Sequence, residues 1–78
     1  MDKKAWLEVF DETQKSFEPI MDAWFPTLWE SVLENRKIEN WEMMVKLLQS
    51  AWKRLPERVH TDYRKKEALN DLYNLIEA

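Results

Sequence analysis

A chain of 78 residues that is 45 % hydrophobic, carries a formal net charge of −3 and holds no Cys and no Gly is confined to few kinds of protein. Without Cys there are no disulfides, thiolate nucleophiles or sulfur-ligated zinc, which points to the cytosol rather than to a secreted scaffold. Without Gly, phosphate-cradling loops and tight hairpins lose the backbone freedom they need.

One domain is expected at this length, and so short a chain buries only a little over ~60 % of its unfolded surface. Its core must therefore be rich, and five Trp, three Phe and two Tyr supply it. Met1 to Trp6 is followed by Glu8, Asp11 and Glu12 rather than by an apolar run, so no signal peptide is visible. No uninterrupted apolar stretch approaches the ~18 residues of a membrane span. A soluble, cytoplasmic protein without membrane contact is the expectation.

In chain order, Trp6, Val9, Phe10, Thr13 and Phe17 recur at helical spacing, opposite Glu8, Asp11, Glu12, Lys15 and Glu18. With Asp2 as N-cap, the spacing predicts a helix over about 3–17, ended by Pro19, which disfavours the α region for Glu18. Residues 20–33 hold nine apolar side chains in fourteen, three of them large aromatics. Their spread around the wheel marks this stretch as the expected centre of the core. Pro19 and Pro26 bracket a short turn at 19–25, with one kinked helix as the competing possibility, and Pro26 suits the first turn of a helix over 26–37.

Asn40 is a good N-cap for a third helix over 41–55, whose face is Trp41, Met44, Val45, Leu48, Trp52 and Leu55, widened by Met43 and Leu47 and stopped by Pro56. Thr61 and Asp62 open a fourth over 62–77, with Leu69, Leu72, Tyr73 and Ile76 on its face and Ala68 and Leu75 on the flank. No stretch alternates with period two between turn residues. The chain thus reads as all-α, a single small bundle of three to four helices. Its expected interior is Trp24, Leu28, Trp29, Val32, Trp41, Val45, Leu48, Trp52, Leu69 and Tyr73.

Candidate chemistry is thin. Glu57 and His60 have the Glu-x-x-His spacing of carboxylate-bridged metal bundles, but such a site needs a second motif and two more carboxylates, and the chain has one His. Glu8/Glu12 and Glu30/Glu34 are spaced for acid–base work, yet both fall on the polar face, where a solvated helix surface accounts for them. One His and scattered Ser residues carry no triad signal. No enzyme activity, metal or cofactor is expected.

Charge is uneven along the chain. Residues 1–52 hold ten acidic and six basic side chains, whereas 53–66 hold two acidic and six basic: Lys53, Arg54, Arg58, Arg64, Lys65 and Lys66. That cluster could track a phosphate backbone or meet an acidic partner. The net charge of −3 and the lack of interleaved aromatics argue against nucleic acid.

The stronger hint is an excess of apolar side chains over what three or four short helices can hide. Trp and Met are favoured at protein interfaces, and Met21, Trp24, Trp29, Met43, Met44 and Leu47 are the candidates. The expected function is that of a small regulator or inhibitor that binds another protein through an apolar face, with steering by the basic end favouring a distinct partner. A homodimeric adaptor and a nucleic-acid module are the alternatives. Acidic helical proteins of this size without catalytic equipment are commonly adaptors, anti-factors, immunity proteins or phage- and plasmid-borne inhibitors, an argument from general type alone.

Overall fold

The computed structural model describes residues 2–62 and 66–78, and every regular element among them is a helix. They are α1 (Lys3–Trp24), α2 (Pro26–Lys37), α3 (Trp41–Arg54), the single turn α4 (Glu57–His60) and α5 (Lys66–Glu77). The all-α class inferred from composition and period is the one observed. The start expected for the last helix falls partly on residues 63–65, outside the described residues. No described helix is long and apolar enough to cross a membrane.

The caps follow the sequence. Asp2 Oδ1 accepts from the Ala5 N–H at 2.8 Å, and Asn40 Oδ1 accepts from the Met43 N–H at 3.4 Å. Each answers one of the orphan donors of a first helical turn. Between α1 and α2 the break is one residue long. Phe25, held out of the α region by Pro26, sits at φ −140°, ψ 63°, yet its N–H donates to the Met21 carbonyl and its carbonyl accepts from the Trp29 N–H. These are the last bond of α1 and the first of α2, so the break is confined to a single residue.

Between α2 and α3 the chain closes with the hydrogen bonds of a Schellman motif. The Asn40 N–H donates to the Asn35 carbonyl and the Glu39 N–H to the Arg36 carbonyl. The left-handed position that glycine usually fills is taken by Glu39 at φ 55°.

The first helix departs from expectation. It does not stop near Phe17 but runs 22 residues, with Pro19 inside it. Pro19 is exposed, whereas Phe17, Ile20 and Met21 are buried on the opposite side. The bond lost to the missing N–H is therefore on the solvent side. A proline inside a helix costs about 3 kcal/mol, and burying two side chains of the size of Ile20 and Met21 is enough to match it.

That length makes α1 the hub. It packs against α2, α3 and α5, and the longest dimension of the molecule, 33 Å, is what a helix of this length spans at ~1.5 Å per residue. The core centre also lies here rather than at 20–33. Trp6 stacks on Phe10 at 5.7 Å, and Phe10 meets both Phe17 and Trp29, which meet each other edge to face at 5.8 Å. Three of these four rings belong to α1. The stretch 20–33 is instead divided at Phe25, with Trp24, Phe25 and Leu28 half-buried between the buried Ile20 and Met21 and the buried Trp29 and Val32.

Of the expected interior, Trp29, Val32, Leu48 and Leu69 are buried, while Trp24, Leu28, Trp41, Val45 and Trp52 are half-buried at its margin. Tyr73 is a correction. It is 45 % exposed and lies against Trp52, and Leu72 and Leu75 take the inner face of α5 instead. A tyrosine at that edge covers a tryptophan while leaving its hydroxyl near water.

Candidate functional site

The structure divides the six apolar candidates in two. Met21, Trp29 and Met44 are in the interior, with at most 2 % of their surface accessible, so no partner can reach them in the folded chain. Trp24 and Leu47 are half-buried, and Met43 is 41 % exposed. Trp24 and Leu47 come together in a groove of about 480 Å³ at the α1–α2 corner, with Phe25, Leu28, Ser31 and Arg54 around them. Met43 stands one turn along α3 from Leu47.

Chain geometry explains the opening. Because Phe25 ends one helix and Pro26 begins the next, Trp24, Phe25 and Leu28 fall where the axes diverge. A smaller apolar cluster of Ile20, Leu55, Val59 and Leu69 backs this corner, and Trp24 and Phe25 pack on it.

The basic residues do not act as one patch. Arg54 lies over the Phe25 ring, its guanidinium carbon 5.4 Å from the centroid, and Arg58 lies over the Trp24 ring at 5.3 Å. Each is within the range of a cation–π contact. Lys53 is exposed on the last turn of α3. Lys66 lines a different groove of about 470 Å³, with Trp52, His60, Leu69 and Tyr73. Arg64 and Lys65 lie outside the described residues. The pairing of sequence-adjacent Trp24 and Phe25 with Arg54 and Arg58 could not be read from the sequence, since it depends on how α4 folds back toward the corner.

Among the described residues no ion pair involves Lys53, Arg54 or Arg58. The one observed is Arg36 with Asp11, two parallel bonds of 2.8 and 2.7 Å that join α2 to α1. The hydrogen bonds from Arg36 hold the Asp11 carboxyl below its ordinary range, and the same bonds push the Arg36 guanidinium further up.

The remaining chemical candidates have structural surroundings. His60 packs edge-on against Trp52 with ring centres 4.5 Å apart, and no three metal-capable side chains gather among the described residues. Glu8, Glu12, Glu30 and Glu34 are all exposed on helix surfaces. No protein-family model, curated protein or solved structure matches the chain.

Proposed function

We propose that this chain is a small protein-binding regulator or inhibitor, acting in the cytoplasm, that captures part of another protein in the groove at the α1–α2 corner. One observation carries the reading. Trp24, Phe25, Leu28 and Leu47 line a concave surface of mixed polar and apolar character, together with Thr27, Ser31 and Arg54, on which these four apolar side chains stay half-buried. Rigid aromatic anchors in a shallow pocket are the residues on which binding energy concentrates at interfaces.

Self-association through this groove is disfavoured by its charge. A two-fold interface centred there would bring Arg54 toward its own copy, and like charges facing one another cost binding free energy.

The reading is tested by affinity capture from a native lysate with the wild type and with Leu47→Glu, each checked for helix content by circular dichroism. A discrete protein retained by the wild type and lost by the variant, with a monomeric chain in light scattering, is the expected result. Capture that ignores Leu47→Glu, or a dimer that the substitution leaves intact, would contradict it.

A further inference from the structure

We infer that the partner segment for this groove is acidic as well as apolar, an amphipathic stretch that seats a large apolar side chain between Phe25, Leu28 and Leu47 and sets carboxylates on Arg54 and Arg58. The inference rests on the docking reading above and adds the chemistry of the occupant. Its first support is the sign of the charge. Arg54 is the only ionisable residue among those lining the groove, whereas the groove at Tyr73 includes Asp62 and the one beside the N-terminus of α1 mixes Asp2, Glu8 and Asp11 with Lys3, Lys4 and Arg36.

The second support is the state of the arginines. Neither Arg54 nor Arg58 has a carboxylate within ion-pair distance among the described residues, although acids make up 15 of the 78 residues. Both guanidiniums are instead held on aromatic faces. A guanidinium on a ring keeps its edge N–H groups free for a carboxylate and gives up less rotational freedom when it binds one. Asp22 on α1 and Glu30 and Glu34 on α2 are exposed without closing on these cations. An acidic, apolar partner complements this surface; a basic or neutral one leaves the arginines unanswered.

A nucleic acid strand would also meet arginine beside aromatic rings. The net charge of −3 opposes it. Among the described residues, Arg54 and Arg58 are the basic side chains held on the rings of this corner, so few phosphates could be neutralised.

The test is selection from a library of random short peptides displayed for capture by the purified full chain, in parallel with Arg54→Glu/Arg58→Glu, Arg54→Gln/Arg58→Gln and Leu47→Glu, all confirmed helical. The wild type should enrich peptides that combine Asp or Glu with a large apolar residue. Their binding should weaken with added salt, fall about tenfold in the glutamine variant and shift toward Lys and Arg peptides in the glutamate variant. Peptides that depend on Leu47 but are neutral or basic, or that ignore both arginine substitutions, would overturn this inference and leave the groove reading standing. No captured peptide, or capture indifferent to Leu47→Glu, would overturn both. Tighter binding of a single-stranded DNA oligonucleotide through the same arginines would also overturn it.

Discussion

Two tryptophans give opposite answers to the same question of where a buried N–H goes. The Trp6 Nε1 donates to the Leu75 carbonyl at 2.9 Å, answering an acceptor in the last turn of α5 that the helix itself cannot satisfy and tying the two ends of the chain together. Trp41 Nε1 is buried with no partner among the described residues. Trp6→Phe should therefore cost about 2–3 kcal/mol, since it leaves the Leu75 carbonyl buried and unpaired, while Trp41→Phe removes an unpaired donor and should cost clearly less. Urea unfolding of the two variants checks the order, and equal losses would contradict it.

Asp11 supplies the pH dependence at this scale. Its carboxyl is held down in the folded state by Arg36, so its contribution is present above the ordinary carboxylate range and is lost as pH falls through the lowered folded value. The pair is partly exposed, side chains 30 % and 48 % accessible, so its worth is that of a surface bridge, about 0.2–1 kcal/mol. Asp11→Asn should lose that much at neutral pH and nothing once the wild-type carboxyl is protonated. Denaturation curves at the two pH values measure the difference.

At the scale of elements, although the turn α4 was not anticipated and Asp62, the expected start of the last helix, is not helical, the starts of α1, α2 and α3 were legible because they rest on local chemistry: Asp2, Pro26 and Asn40 each act where their side chains dictate. The end of α1 was not, because Pro19 is a local stop signal overridden by tertiary burial of Ile20 and Met21, which no window around residue 19 contains. Pro19→Ala should restore the bond to the Lys15 carbonyl and stabilise the protein by about 2 kcal/mol, after allowance for the unfolded-state entropy that proline removes. Loss of stability in thermal melts would mean that Pro19 has a role in shaping the helix. The turn after α2 was hidden for a related reason, since its left-handed residue is Glu39 and not glycine. Glu39→Gly should relieve about 1 kcal/mol and raise the melting temperature by about 4–8 °C.

At the scale of the molecule, the residues led us to expect a surplus of apolar surface, whereas among the described large hydrophobics only Ile38, Met43 and Tyr73 are exposed. Periodicity shows that Met43, Met44 and Leu47 share a wide face, yet only packing in the bundle sends Met44 inward, leaves Leu47 half-buried and leaves Met43 exposed. Trp24 and Trp29 likewise have equal weight on a wheel, and it is the bend at Phe25 that separates them. We propose that this bend leaves a corner that receives another protein. Amide hydrogen exchange of the chain, alone and with its captured partner, tests this most directly. Added protection should centre on residues 24–28 and 47–54, with α5 little changed, whereas protection centred on the Tyr73 face of α5, or none at the corner, would contradict it.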